Sequence, residues 1–539
     1  CDRRQRQMCI RDSVKIKIML KVFLKKHWQI ILLNLIVLLC FILGYGRFGD
    51  VIFDSFREAY IPAQIIKGQV LYKNIFNIYA PFAYLFNALL FKIFGISLNV
   101  LYFAGLFTTL GIINLIFLIS NKFLEKKYSF AITLFFIASS VLSANAFNCF
   151  FPYSYGMIYG LFFILGSLYA ALNKQFILAY ALYSFSICSK YEFILLLPLL
   201  IAVSWKNKSW KYIAALIMPA VITYLPLIIQ KAGLNNLIIS YQLILSMSAT
   251  KTLYWFYSMT GLVFRPELIP IYLENFFKAA IPVAILYFIN SYFILPFIFI
   301  YCYFISTPEI LTYIFPLILI LYAVRFKHLT VKEKLFIPAC LLVSMKIFFA
   351  LTLQSYGIYF VPFALIPVFI LAPQKLKKSL LIVVIMCSIS IAVKNITTLF
   401  AKNIKTETQE GIVYSMPYIG NSINSLVEYI QNNTREEDKV LVYPEGLSIN
   451  VMCNRDSDNK FYSLIPLYIE TFGEDIIIKR FEITKPDYIV ISNYDTSSYY
   501  YSYFGVDYAG KIFNYILKNY EKQAQIGDKL KFVVFKRIN

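Results

Sequence analysis

Three charged side chains early in the chain, Asp54, Arg57 and Glu58, have the types and spacing that acid–base chemistry needs. If the segment is helical, Asp54 and Glu58 lie one turn apart on one face, with Arg57 beside them. Two carboxyl groups this close repel each other when both are charged, so one can act as a base near neutral pH. The alternative, which spacing alone favours, is a helix cap with a solvated acidic turn.

A second charged group, Lys190-Tyr191-Glu192, lies where two short apolar runs meet. Ionisable groups in such positions are energetically costly and usually have a function. The alternative is an interfacial hairpin turn, with the lysine extending its ammonium group to the membrane surface.

Two aromatic segments, 151–155 and 356–362, are predicted at the outer ends of apolar runs and contain Tyr153, Tyr356 and Tyr359. These tyrosines are candidates for binding a substrate. The alternative for both segments is the belt of aromatic residues that membrane proteins place at the interface.

The chain has only two histidines, His27 and His328, and both fall in predicted cytoplasmic connections. Ser-His-Asp catalysis and histidine-bound metals are therefore disfavoured on the outer face. The sequence also contains no Walker-type glycine loop, dinucleotide fingerprint or iron–sulfur spacing. We expect neither a metal nor another cofactor.

The elements that must position these residues are predicted to be membrane helices. The chain has 539 residues, of which 59% are hydrophobic and 15% charged, against about 25% charged in soluble domains. The net charge of +22 comes largely from lysine and arginine clusters beside the apolar runs, the pattern of cytoplasmic connections. The expected partners of these clusters are membrane lipids, and no nucleic acid is expected.

The apolar runs and the basic clusters together predict a multi-pass topology of about 11–13 transmembrane helices. Residues 277–324 must contain an odd number of crossings, and three fit best. The other predicted crossings are 28–47, 98–120, 128–146, 154–172, 176–189, 191–205, 211–229, 335–353, 356–372 and 379–396.

The chain is predicted to have three parts. Residues 1–13 are polar, unlike the lysine- and isoleucine-rich segment after them, and are expected to be an artefact or disordered. Residues 14–400 form the membrane domain, whose first outer loop, 46–95, contains two interfacial helices near 56–66 and 81–94.

Residues 401–539 are predicted to form a small α/β domain outside the membrane, because an odd number of crossings places it there. The polar residues increase after residue 401, and the long apolar runs stop. Strands are predicted at 439–442, 487–491 and 530–535, and helices at 421–430 and 511–517.

The stretch from Asp54 to Gly95 resembles the first outer loop of bacterial membrane glycosyltransferases of the C superfamily (GT-C fold), relatives of protein O-mannosyltransferases and the lipid A aminoarabinose transferase. The order of its features carries the resemblance: an acid, Arg-Glu, Pro, Gly-Gln-Val-Leu-Tyr, an aromatic-Ala-Pro step and a helix ending in Phe-Gly. The segments 189–191 and 356–362 are similar in kind to the family's later outer segments.

The resemblance implies inverting transfer of a sugar from a polyprenyl-phosphate carrier to an acceptor at the outer face of the bacterial cytoplasmic membrane. Asp54 would match the catalytic aspartate, and Glu58 would support it or shape the sugar pocket. Arg57 and Lys190 would stabilise the phosphate leaving group without a metal. The acceptor could be a glycolipid, a polysaccharide or a protein.

Two points limit what the resemblance implies. The family often has a second acid in the second outer loop, but residues 145–155 contain none. Fold analogy alone does not separate a transferase from a transporter or flippase of lipid-linked sugars. The transporter is therefore the alternative function.

Overall fold

The computed structural model describes residues 24–52, 54–207, 209–231, 233–239, 252, 266–289, 291–308, 310–344 and 357–538. The segment 1–13 and the candidate residue Tyr356 lie outside the described residues.

The first part of the described chain consists of helices joined by loops and turns. Its helices, in chain order, are α1 (Leu24–Gly44), α2 (Asp54–Ile66), α3 (Phe82–Phe94), α4 (Leu98–Ser120), α5 (Lys126–Phe136), α6 (Tyr155–Leu172), α7 (Phe176–Ser189), α8 (Leu197–Ser204), α9 (Trp210–Ile229), α10 (Ile269–Phe288), α11 (Leu295–Ile305), α12 (Phe315–Arg325), α13 (Val331–Val343), α14 (Val361–Leu371) and α15 (Gln374–Ala401).

Six of these helices, α1, α4, α6, α9, α10 and α15, are long and apolar enough to cross a membrane. Large apolar side chains such as Ile213, Ile229 and Phe304 are exposed on the protein surface, where contact with lipid would cover them favourably. The predicted fold class is confirmed, and the chain is a multi-pass membrane protein. The exact number of crossings stays a prediction.

Several helices agree closely with the predicted crossings. The helices α4 and α7 coincide with the predictions for 98–120 and 176–189. The region predicted to contain an odd number of crossings holds three helices, α10, α11 and α12. The predicted crossing 191–205 is less regular, because a 3-10 turn over Tyr191–Leu196 precedes the short α8.

The two helices of the first outer loop differ in their surroundings. Helix α3 exposes Leu89, Ile93 and Phe94, as a helix lying at a membrane surface would. Helix α2 is enclosed more deeply than such a helix, because every residue from Ser55 to Gln64 is buried. Protein therefore covers α2 on all sides.

Within the described residues, the six strands all come after α15 in the chain. The elements are β1 (Ile404–Thr408), β2 (Gly411–Ser415), α16 (Pro417–Asn433), β3 (Val440–Tyr443), α17 (Leu447–Cys453), α18 (Pro466–Phe472), α19 (Glu474–Thr484), β4 (Tyr488–Ser492), α20 (Gly510–Asn519), β5 (Tyr520–Ile526) and β6 (Phe532–Arg537).

Strands β1 and β2 form a hairpin, and the other four form a sheet in the order β3-β4-β6-β5. Strand β3 runs parallel to β4, whereas β6 is antiparallel to both of its neighbours. The three strands expected from the sequence correspond to β3, β4 and β6, and the sequence did not predict the hairpin or β5. Strands β3 and β4 are buried along their whole length.

The C-terminal α/β unit covers α2. The hydroxyl groups of Tyr60 and Ser457 lie 2.8 Å apart, and the Gln64 side-chain amide donates to Asp456 at 2.6 Å. The Ser448 hydroxyl donates to the backbone carbonyl of Ile52 at 3.2 Å. These contacts hold the C-terminal unit directly over the segment that carries Asp54.

Candidate active site

The sequence-predicted group Asp54, Arg57 and Glu58 comes together at the start of α2. Arg57 Nη1 donates to Asp54 Oδ1 at 3.0 Å, and Arg57 Nε lies 3.4 Å from Glu58 Oε1. The guanidinium therefore lies between the two carboxyl groups and offsets the repulsion expected from their spacing. Asp54 also occupies the first turn of the helix, where the helix dipole favours a negative charge.

Glu58 is sealed inside the protein. Its side chain is 0% exposed, and Oε1 accepts a hydrogen bond from the Tyr84 hydroxyl at 2.8 Å. Its Oε2 accepts from the backbone N–H of Tyr155 at 2.9 Å. Burial raises the pKa of Glu58, and Arg57 opposes that rise. With both oxygens engaged, Glu58 holds Arg57 and the second outer loop in place.

Asp54 is the more accessible of the two acids, since 33% of its side chain is exposed. Burial raises the pKa of Asp54 above its ordinary value, and the charge and hydrogen bond of Arg57 oppose the rise. An accessible carboxylate with a raised pKa is suited to accept a proton from a bound molecule.

Lys190 lies close to this group, because Lys190 and Arg57 both contact the aromatic ring of Tyr79. Its ammonium nitrogen is 5.7 Å from the centre of the Tyr79 ring, and the Arg57 guanidinium carbon is 4.7 Å from the same centre. Both cations are within the range of cation–π attraction. Tyr79 was not singled out from the sequence, although it belongs to the aromatic-Ala-Pro step.

Of the other predicted residues, Tyr153 contacts the group around Asp54, and two other tyrosines make contacts elsewhere. The Tyr153 backbone carbonyl accepts from Arg57 Nη2 at 2.8 Å, which brings the second outer loop into the site. Tyr191 and Tyr359 make contacts elsewhere: the Tyr191 hydroxyl lies 3.1 Å from the Tyr224 hydroxyl on α9, and the Tyr359 hydroxyl donates to the Asn148 carbonyl at 2.8 Å. Glu192 is half-buried on the 3-10 turn.

A cavity of about 370 Å³ opens on one side of Asp54, within the size range of small-molecule sites. Asp50, Asn145 and Lys402 are among its lining residues. The buried Lys402 ammonium donates to the backbone carbonyls of Arg47, Gly49 and Ala144 at 2.9, 3.1 and 2.8 Å. It thereby ties the first two outer loops to the end of α15.

Burial shifts the pKa of two charged groups that line this cavity. Burial raises the pKa of Asp50 to about 6, and Lys402 opposes this rise. Burial lowers the pKa of Lys402 to about 8, against the attraction of Asp50. Among the described residues, no group of three or more His, Cys, Asp or Glu side chains is arranged to hold a metal ion.

A further carboxyl group, missed by the sequence analysis, reaches the site from the C-terminal unit. Glu445 lines a small space together with Asp54 and Arg57. Its only sequence signal is its place in the short Pro444-Glu445-Gly446 turn that follows the buried strand β3. A polar residue at the end of a strand of a parallel pair often belongs to a binding site.

Searches of protein-family models and of curated proteins give no match. Among solved structures, the chain is similar to an archaeal oligosaccharyltransferase, AglB from Archaeoglobus fulgidus, in complex with an inhibitory peptide and a dolichol-phosphate. The TM-score is 0.47 at 11% identity, over 93% of this chain and 73% of that one. A second structure of the Archaeoglobus fulgidus oligosaccharyltransferase, tethered to an acceptor peptide, gives 0.49 at 12% identity over 96% and 75%.

A third similar structure is ArnT from Cupriavidus metallidurans bound to undecaprenyl phosphate, with a TM-score of 0.40 at 12% identity over 95% of this chain and 98% of that one. All three similarities have identities of 12% or less and TM-scores below 0.5. Because the identities and TM-scores are low, the contacts around Asp54 are the basis for assigning a function.

Proposed function

We propose that this protein is an inverting glycosyltransferase that moves a sugar from a polyprenyl-phosphate carrier to an acceptor hydroxyl group on the outer face of the bacterial cytoplasmic membrane. One observation carries the proposal: an accessible carboxylate, Asp54, lies beside two cations, Arg57 and Lys190, that share the Tyr79 ring. A base beside a cationic pair is the arrangement that displacement of a phosphate by a hydroxyl group requires.

Asp54 is the general base in this proposal. It takes the proton of the acceptor hydroxyl as the oxygen attacks the anomeric carbon, and the bond from that carbon to the phosphate oxygen breaks. Its position beside a cavity of about 370 Å³ gives it access to a small molecule. Glu58 is a positioning residue, because both of its oxygens are engaged inside the protein.

Arg57 and Lys190 bind the phosphate in this proposal. The negative charge on the leaving phosphate grows as the bond to the sugar breaks, so fixed cations stabilise the transition state more than the ground state. Arg57 is held by Asp54, Glu58 and the Tyr153 carbonyl, and it is therefore preorganised for this role. The carrier and the acceptor approach from the membrane, and the C-terminal unit covers the site from outside.

The basic experiment measures transfer of radiolabelled sugar from polyprenyl-phosphate donors to membrane acceptors by the purified protein in lipid vesicles. Labelled product that forms only with the intact protein supports the proposal. Passage of the labelled lipid across the vesicle membrane without any sugar transfer would instead identify a transporter.

Replacing Lys190 with Met is expected to lower transfer on the order of 100-fold, because a cation that meets the developing phosphate charge is lost. Lys190→Arg should recover much of the activity, since it keeps a positive charge near the Tyr79 ring. The measurement is kcat/KM for the donor. Lys92→Met, on the exposed side of α3, is the matched control, and an equal effect of both Met variants would remove Lys190 from the site.

The dependence of the transfer rate on pH should follow the protonation of Asp54. A base works only when it is deprotonated, so kcat/KM should rise with pH through the pKa of Asp54, which lies above its ordinary value. Arg57 lowers that pKa. In Arg57→Met the acid limb should therefore move to higher pH, in addition to any loss of phosphate binding. An unchanged acid limb would show that another group titrates.

A further inference from the structure

The arrangement of strands in the C-terminal sheet explains why Glu445 lies beside Asp54. Strands β3 and β4 are parallel, so the loops at their carboxyl ends leave from the same edge of the sheet. Glu445 comes two residues after the end of β3, and Tyr494 and Tyr499 come after β4. Both tyrosines interact electrostatically with Asp54 and with Glu445. This edge of the sheet therefore faces the start of α2.

The segment that follows Glu445 packs closely on its neighbours. Gly446 packs so tightly on β3 that a Cβ atom there would lie 2.2 Å from Val442 Cγ1. The next helix, α17, is anchored by the Ser448 hydroxyl on the Ile52 carbonyl. The Ser463 hydroxyl donates to Glu445 Oε1 at 2.8 Å. One oxygen of the carboxyl group is thus held by a hydrogen bond, and the residue lines the small space beside Asp54.

The space between Glu445 and Asp54 has the size of a single hydroxyl group. Asp54, Arg57 and Glu445 line a cavity of about 20 Å³, whereas one water needs roughly 10–15 Å³ by this measure. Glu445 Oε2 is inaccessible to solvent and has no hydrogen-bond partner among the described residues. A buried polar atom without a partner is costly, and at a site it indicates a ligand.

Burial of the Glu445 carboxyl group and the nearby negative charge of Asp54 favour its neutral form over its charged form. Burial raises its pKa well above the ordinary value, the negative charge of Asp54 adds to the rise, and Arg57 and Ser463 oppose it. Asp50 adds a further negative charge. The other titratable groups facing Glu445 are the hydroxyl groups of Tyr79, Tyr462, Tyr468, Tyr494, Tyr499 and Tyr508.

We propose that Glu445, in its neutral form, is a substrate-binding residue that donates a hydrogen bond to the acceptor hydroxyl deprotonated by Asp54. The inference rests on the proposed glycosyl transfer and gives the C-terminal unit a direct part in it. It also supplies the second acid that the second outer loop lacks.

The chemistry balances without a further reactant. The acceptor hydroxyl gives its proton to Asp54 and one lone pair to the anomeric carbon, and the electron pair of the sugar–phosphate bond leaves with the phosphate. Glu445 keeps its own proton and hydrogen-bonds the second lone pair of the attacking oxygen. Only one lone pair can then attack, so its direction is fixed before the reaction.

The test compares Glu445→Gln with Glu445→Ala in the vesicle assay. Gln is neutral, donates a hydrogen bond and can still accept from Ser463, so its KM for the acceptor should stay within a few-fold of the wild-type value. Ala loses the donor, and its KM for the acceptor should rise about tenfold. Glu428→Gln, on the exposed side of α16, is the matched control.

The pH profile separates this role from a structural one. Wild-type transfer should fall on the alkaline side as Glu445 ionises, and this fall should be absent from Glu445→Gln. Equal damage by Gln and Ala, the same alkaline fall in the Gln variant, or no such fall in the wild type would each overturn the inference. If Asp54→Asn abolishes transfer but all Glu445 variants match the wild type, only the Glu445 inference fails. If the wild type transfers no sugar, the proposed function fails too.

Discussion

Replacing Asp54 with Asn is expected to lower sugar transfer by about 10²- to 10⁴-fold, the usual contribution of a general base. The amide has the size of the carboxylate, and its oxygen can still accept the hydrogen bond from Arg57 Nη1. It cannot take a proton from the acceptor, however. The loss should therefore appear in kcat at saturating donor, with little change in KM.

Asp528→Asn, in the exposed turn between β5 and β6, is the matched control and should retain wild-type activity. Both variants should have the thermal unfolding midpoint of the wild type in detergent. Full transfer by Asp54→Asn would rule out Asp54 as the base. Asp50, which lines the same cavity, would then be the next candidate.

Replacing Glu58 with Leu is expected to destabilise the protein by about 3–5 kcal/mol, the usual cost of removing one partner from a buried ion pair. The Tyr84 hydroxyl and the Tyr155 N–H lose their acceptors, and Arg57 keeps Asp54 as its only carboxylate partner. The measurement is the thermal unfolding midpoint of the purified protein. Activity should fall as well, because Arg57 is no longer held between two acids.

Glu125→Leu removes a carboxylate that pairs with Lys127 on the surface, and it should leave the unfolding midpoint unchanged. The stability of Glu58→Gln should lie between those of the wild type and Glu58→Leu, since its amide can still accept the hydrogen bond from Tyr84 while the charge is lost. A Glu58→Leu variant as stable as the wild type would mean that Glu58 does not organise the site.

The membrane part of the fold could be read from the sequence because its signal is local. Helix α7 coincides with the prediction because its apolar run ends at Lys174 on one side and Lys190 on the other. The β1–β2 hairpin had no such signal, since β1 has the sequence Ile-Lys-Thr-Glu-Thr. Its register comes from pairing with β2 and from packing against α16, which a local pattern does not encode.

The candidate site could be predicted from spacing where its residues are neighbours in the chain, whereas Lys190 was singled out only by its place between two apolar runs. Asp54, Arg57 and Glu58 lie on one helical turn, so their spacing revealed them. Glu445 lies almost four hundred residues further on and lies near Asp54 because the C-terminal unit, including α17, packs on α2. The enclosure of α2 was also missed, because the residues that cover it, such as Ser457 and Asp456, belong to the C-terminal unit.

The contacts of Lys402 set the order in which the site can be completed during synthesis. Asp54 leaves the ribosome early, but the ammonium group that joins the carbonyls of Arg47, Gly49 and Ala144 is added only after the last long helix. Glu445 is synthesised later still. A nascent chain that ends before Lys402 therefore contains Asp54 and both outer loops but lacks the ammonium group that joins them, and the full set of contacts forms only after Glu445 has also been synthesised.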